Sequence, residues 1–111
     1  MSNCNIGIIG GGAAGMAAAV FAARAGGNVT LIERNEKLGK KVYITGKGRC
    51  NMTNVAAGQE FLMNVPRNPR FLYSALDFFD NQSLIDFIES QGVPTTVERG
   101  GRVFPESDHA S

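Results

Sequence analysis

Residues 5–33 read NIGIIGGGAAGMAAAVFAARAGGNVTLIE. An apolar, β-branched run (Ile6, Ile8, Ile9) leads directly into Gly10-Gly11-Gly12-Ala13-Ala14-Gly15. The run is too short for a helix and ends on glycine, so it reads as a buried parallel strand. Alanines at 14, 17, 18, 19, 22 and 23 then give strong helix propensity, with Met16, Val20 and Phe21 as bulk. This helix spans about Ala13 to Ala25 and meets its stop at Gly26 or Gly27. Val29, Leu31 and Ile32 form a second strand, with Glu33 at its carboxyl end. Strand, glycine turn, helix, strand and acid follow one another as a dinucleotide-binding βαβ unit requires.

Each glycine of the GxGxxG turn has its own physical task. Gly10 allows the tight turn, Gly12 removes a Cβ where backbone N–H groups approach a pyrophosphate, and Gly15 lets the helix lie close to the strands. The helix N-terminus, at Ala13 and Ala14, adds unpaired N–H donors and partial positive charge. Glu33 lies 18 residues after Gly15, near the spacing of a carboxylate that accepts hydrogen bonds from an adenosine ribose. Its charge repels a 2′-phosphate, which disfavours NADP and leaves NAD and FAD open.

Composition sets the outer bounds. At 111 residues, 43% hydrophobic and 19% charged, the chain is about one small globular domain. A net charge of +1 argues against affinity that comes mainly from coating nucleic acid or anionic membrane. Two cysteines, Cys4 and Cys50, make no disulfide framework, so a reducing cytoplasm is the expected compartment. The apolar run from Ile6 to Ala25 lacks a basic flank and is broken by glycine, which excludes a signal peptide and a membrane span.

Residues 34–54, RNEKLGKKVYITGKGRCNMTN, place Lys37, Lys40, Lys41, Lys47 and Arg49 within 13 residues, interleaved with Gly39, Gly46 and Gly48. Glycines beside cations suit a loop that wraps an anion. It is not a P-loop, because Lys47 is followed by Gly48 rather than Ser or Thr. A solvated basic loop and an RNA-binding loop are the alternatives, the latter with only Tyr43 for stacking.

The run from Gly39 to Asn54, GKKVYITGKGRCNMTN, resembles the "LGKK…ITGKGRCNxTN" segment of the bacterial BaiN-like (YhiN-like) NAD(P)/FAD-dependent oxidoreductases. Residues 101–108, GRVFPESD, resemble that family's "GRVFPxS" segment. The family includes enzymes described as aminoacetone oxidases. The resemblance implies a flavoprotein acting on a small-molecule substrate, with FAD as cofactor and NAD(P)H as candidate electron donor. It implies Glu33 on the ribose and Lys41, Arg49, Cys50 and Asn51 lining the FAD site. With the turn and the basic loop, the expected cofactor-binding set is Gly10, Gly12, Ala13, Ala14, Gly15, Glu33, Arg34, Lys40, Lys41, Thr45, Gly46, Arg49, Cys50 and Asn51. It contains no assigned catalytic residue and no metal ligand. A NAD-dependent dehydrogenase domain and a non-catalytic nucleotide-binding remnant are the rival readings.

Residues 55–67 show no periodicity and read as loop. Asn68-Pro69 reads as N-cap and first helical residue, and Phe71, Leu72, Ala75, Leu76 and Phe79 as the core stripe of a helix to Phe79. Asn81 or Gln82 opens a second helix carrying Leu84, Ile85, Phe87 and Ile88, which stops at Gly92-Val93-Pro94. Thr95–Glu98 and Arg102–Phe104 read as strands joined at Gly100-Gly101. Residues 107–111 read as the start of a further helix, His109 as a frayed imidazole, and Cys50, without a CxxC partner, as no dithiol couple. The expected architecture is α/β: a Rossmann-like FAD-binding βαβ unit with its basic loop (1–54), then two helices and a short β-hairpin (55–111). The domain is expected to be incomplete and to continue in a longer protein.

Overall fold

Two β-branched runs joined by an alanine helix fold as their pattern dictates. In the computed structural model, which describes residues 4–111, β1 (Asn5–Ile9) and β2 (Asn28–Ile32) pair in parallel, with Ile6 opposite Val29 and Ile8 opposite Leu31. Helix α1 (Ala13–Arg24) crosses between them. Its half-buried stripe is Gly15, Met16, Ala19 and Ala22, the helical repeat of small residues that close packing needs. Val20 and Phe21 lie outside that stripe, 38% and 41% exposed. Gly26 has φ +96°, its N–H bonds the Ala23 carbonyl, and the Gly27 N–H bonds the Ala22 carbonyl. That pair of bonds is a Schellman stop, placed where the glycines predict it.

The strands depart from expectation in burial. Only alternate residues, Ile6, Ile8, Val29 and Leu31, are half-buried, while Ile9 is 80% and Ile32 54% exposed. A sheet covered by a helix layer on one face alone gives this alternation, whereas a fully buried parallel strand needs both faces covered.

The chain divides into two compact units, the first through Thr45 and the second from Gly46 to Ser111. The first unit closes with a short helix, α2 (Lys40–Ile44), where the basic stretch reads as loop in sequence. The second unit is built on a three-stranded antiparallel sheet in the order β3 (Thr53–Asn54), β5 (Arg102–Pro105), β4 (Thr95–Glu98). The β4–β5 hairpin turns through Arg99–Gly101, with Gly100 and Gly101 both at φ +77°. Val103 and Phe104, at 0% and 1% exposure, form the core with Ile85 of α5 (Asn81–Ser90).

Helix α5 carries Leu84, Ile85, Phe87 and Ile88 on its covered side, as the periodicity predicts, and ends before Gly92 at φ +88°. Its cap is Asp80, whose Oδ1 accepts the Ser83 N–H at 2.8 Å and the Ser83 hydroxyl at 2.9 Å. The Ser83 backbone N–H, followed by its hydroxyl, lowers the Asp80 pKa and keeps the cap ionised. The Asn81 amide donates to the carbonyls of Asn54 and Ala56, tying α5 to β3.

Other expectations need correcting. Residues 55–67 hold a helix, α3 (Gln59–Met63), too short to show a period in sequence. The stretch after Asn68 begins as a 3-10 turn (Pro69–Leu72) before α4 (Tyr73–Phe78). Pro69 does sit at the helix start, but Asn68 makes no side-chain cap and adopts φ +50°. The tighter turn rotates Phe71 out of the stripe: Leu72, Leu76 and Phe79 are half-buried, while Phe71 is 85% exposed. Residues 107–111 form no helix; Asp108 turns at φ +63° and its N–H bonds the Pro105 carbonyl.

Candidate functional site

The glycine turn is held by its own backbone and by one carboxylate. Gly10 leaves β1 at φ +100°, and its N–H bonds the Ile32 carbonyl at 2.8 Å. At Gly15 a Cβ would sit 1.8 Å from the Gly10 carbonyl oxygen, so only glycine lets the helix approach. At Gly12 a Cβ would meet nothing within 4 Å, leaving open space in front of the helix N-terminus.

Gly12 is also the N-cap of α1, without a side-chain cap bond, and no acidic residue lies in the first turn. The leading N–H groups, those of Ala13 and Ala14 among them, are therefore uncompensated by any side chain. An uncapped N-terminus behind open space is a cradle for an anion, and the residues present fit a diphosphate.

Glu33 closes the turn from the β2 side. Its Oε1 accepts the Gly11 N–H and its Oε2 the Asn35 N–H, each at 2.8 Å. These bonds, Asn35 first and Gly11 second, hold the carboxyl below its usual pKa. A charged oxygen accepting one bond has room for another, so Glu33 can also receive ribose hydroxyls. Gly39, buried at φ +67°, donates its N–H to the Gly11 carbonyl at 2.7 Å, which starts α2 beside the turn. Lys40 and Lys41 begin that helix and are exposed, as are Arg34 and Thr45. Sequence reasoning missed Gly11, Asn35 and Gly39 as binding-turn supports. The signal for Gly39 was its place in the LGKK run.

A concavity of ≈ 230 Å³ is lined by Asn35, whose N–H Glu33 accepts, and by Glu36, Lys37, Lys40, Tyr43 and Ile44. It combines a phenol ring, two lysine stems and backbone from the segment that Glu33 caps.

The remaining expected site residues belong to the second unit. Gly46 and Lys47 are both left-handed, at φ +60° and +59°, Gly48 has φ +87° and Cys50 φ +64°. A Cβ on Gly46 would lie 2.8 Å from the Asn51 nitrogen and 3.0 Å from the Phe104 ring, so the loop packs against the core aromatic. Asn51 is exposed and Cys50 half-buried. Burial raises the Cys50 thiol pKa, which keeps it protonated and unsuited to nucleophilic work.

Arg49 is engaged by two carboxylates of its own unit. Its Nη2 pairs with Glu98, and Nε and Nη2 donate to Asp108 Oδ1 at 2.9 and 2.7 Å. Its guanidinium stacks 4.1 Å from the Phe104 ring centroid. Glu98, then Asp108, raise its pKa further above its usual range. The arginine thus clamps the GKGRC loop to the β4–β5 hairpin. Replacing Arg49 with alanine is expected to lower the thermal midpoint by about 4 °C, through lost stacking and two partly exposed ion pairs. Lysine should not restore it, having no planar fork to stack and bridge. A thermal melt of the three proteins checks this; equal midpoints would contradict the clamp.

Among the described residues no group of His, Cys, Asp and Glu is placed to hold a metal ion. No described helix is long and apolar enough to cross a membrane.

The chain is 42% identical over 108 residues to a 3-dehydro-bile acid delta(4,6)-reductase of Clostridium scindens, covering 96% of this chain and 26% of that protein. It is 37% identical over 97 residues to a ribosomal RNA dihydrouridine synthase of Escherichia coli and 34% to one of Haemophilus influenzae. Each of these alignments covers 87% of this chain and 24% of the relative. The chain thus spans about a quarter of the length of these relatives. Residues 4–111 match the model of the HI0933-like protein Rossmann domain, and the chain belongs to that family, the same BaiN-like (YhiN-like) group its GKGRCN segment resembles.

Proposed function

We propose that this chain is the dinucleotide-binding portion of a FAD-dependent oxidoreductase, holding the ADP half of FAD on the βαβ turn. The observation that carries the reading is the uncapped α1 N-terminus facing open space at Gly12, with the ionised Glu33 fixed beside it. The helix N–H groups would hold the diphosphate and Glu33 the ribose. The ≈ 230 Å³ concavity with Tyr43 supplies a place for the base. Lys40 and Lys41 add positive charge near the turn. Bound FAD would supply the hydride chemistry; the chain's own residues bind and orient it.

The relatives' names narrow the reaction class. One protein reduces a delta(4,6) bile acid bearing a 3-oxo group, the others form dihydrouridine from uridine in RNA. Both changes add two hydrogens across a C=C bond conjugated to a carbonyl. We infer the same class here, with NAD(P)H as the electron donor.

Replacing Glu33 with alanine tests the ribose assignment. FAD affinity should fall roughly tenfold or more, as expected when a charged acceptor is lost. The dependence on pH has a definite sign. With its pKa held below the usual value, Glu33 stays charged through neutral and mildly acid solution. Its contribution is therefore present above the ordinary carboxylate pKa and lost only as pH falls through the lower, folded value. Titration with FAD at several pH values reads both. Unchanged affinity in the alanine variant would remove Glu33 from the site.

A further inference from the structure

The peptide that joins Gly11 to Gly12 is held from outside the GxGxxG turn. Glu33 Oε1 accepts the Gly11 N–H at 2.8 Å, and the Gly11 carbonyl accepts the Gly39 N–H at 2.7 Å. Gly11 is therefore fixed on both sides. No described peptide bond is cis, so the Gly11 carbonyl and the Gly12 N–H point to opposite edges of one rigid plane. With the carbonyl turned to Gly39, the Gly12 N–H is turned away from it. Among the described residues that N–H has no hydrogen-bond partner. Gly39 is buried at φ +67° and ψ +30°, where an added Cβ would lie 3.0 Å from Met16 Cε and 3.8 Å from Val42 Cβ. Leu38 fills the space beside Gly11, since a Cβ there would lie 2.5 Å from Leu38 Cδ2. Leu38 and Gly39 thus form a buttress packed on the turn and on Met16 of α1.

Resting on the diphosphate reading given above, we propose that Gly39 is a positioning residue of the dinucleotide site. Its bond to the Gly11 carbonyl aims the Gly12 N–H at the phosphates. A carbonyl that already accepts a bond polarises its peptide, so the Gly12 N–H is also a stronger donor. The effect runs both ways: a phosphate on the Gly12 N–H strengthens the bond from Gly39. Ribose and base need none of this, because Glu33 and the concavity with Tyr43 serve them. Affinity for a nucleoside diphosphate therefore depends on Gly39, and affinity for the bare nucleoside does not. That split separates a positioning role from a merely structural one, which would weaken both ligands together.

The test is NMR titration of the full chain with ADP and, separately, with adenosine, which keeps ribose and base but has no phosphate. In the parent, ADP should shift the Gly12 and Gly39 amide signals together, and adenosine should shift neither. Two variants are compared with it. Gly39→Ala strains the left-handed backbone and crowds Met16. An ester in place of the Leu38–Gly39 amide removes only the N–H; it is built in by ligating a synthetic 1–49 segment to a 50–111 segment that begins with Cys50. Each variant should weaken ADP about tenfold, the effect of one hydrogen bond to a charged group, and leave adenosine within about twofold of the parent. Circular dichroism verifies folding, and should the alanine variant not fold, the ester decides alone. Parent-like ADP affinity in the folded variants would overturn the role of Gly39 and leave the diphosphate reading standing. So would an equal loss of ADP and adenosine. A parent that binds neither ligand would overturn the diphosphate reading, and the role of Gly39 with it.

Discussion

Gly15→Ala is expected to destabilise the first unit by about 2 kcal/mol and to abolish dinucleotide binding. The added Cβ would lie 1.8 Å from the Gly10 carbonyl oxygen and 2.9 Å from its carbon, both backbone atoms that cannot rotate away. Overpacking of this kind costs about 1–3 kcal/mol, and a backbone neighbour puts the site at the upper end. Alanine's better helix propensity returns roughly 1 kcal/mol. Gly12→Ala is the contrasting variant. A Cβ there meets nothing, so the fold should hold, while the group projects into the space assigned to the diphosphate. Urea unfolding and FAD titration of the pair separate the two roles. Equal stability of the two variants would contradict the close approach at Gly15.

Phe104→Ala should cost about 3–5 kcal/mol, the usual range for emptying a buried aromatic site. Phe104 is 1% exposed, lies against the position a Gly46 Cβ would take and carries Arg49 stacked on its ring. Its removal would undo the core of the second unit and loosen the GKGRC loop together. Since whole domains are stable by only about 5–15 kcal/mol, the second unit should then unfold on mild heating. Loss of near-native hairpin signals in an NMR spectrum, with β1–α1–β2 signals retained, is the expected pattern. A cooperative melt at the parent's midpoint would contradict it.

The βαβ unit was legible in sequence to within a residue, because every signal there is local. Apolar alternation, the glycine turn, an alanine helix and the Gly26-Gly27 stop each act over a few positions. The β4–β5 hairpin was legible for the same reason, through Gly100-Gly101. Short elements without a full period escaped, as α2 and α3 did with five residues each. Strand β3 escaped because two residues become a strand only through pairing with Val103 and Arg102.

Arg49 is the clearest case at the site. Nothing in the glycine-rich loop around it signals the ion pairs that it makes. Those partners, Glu98 and Asp108, lie 49 and 59 residues away, beyond any local pattern. Phe71 shows the converse: its spacing fits a core stripe, and a 3-10 turn of four residues turns it outward. Local chemistry thus showed where the glycine turn and Glu33 lie in the fold, while the ion pairs of the GKGRCN segment depended on tertiary contacts.

The central claim is that the turn at Gly10–Gly15 with Glu33 holds FAD rather than NADP. Its most direct test is a titration of the purified chain with FAD, NAD and NADP, read by flavin absorbance near 450 nm and by calorimetry. The account predicts saturable FAD binding that Glu33→Ala weakens, with NADP weakest because its 2′-phosphate meets a carboxylate. A chain that stays colourless with FAD and binds NADP as tightly as NAD would contradict it.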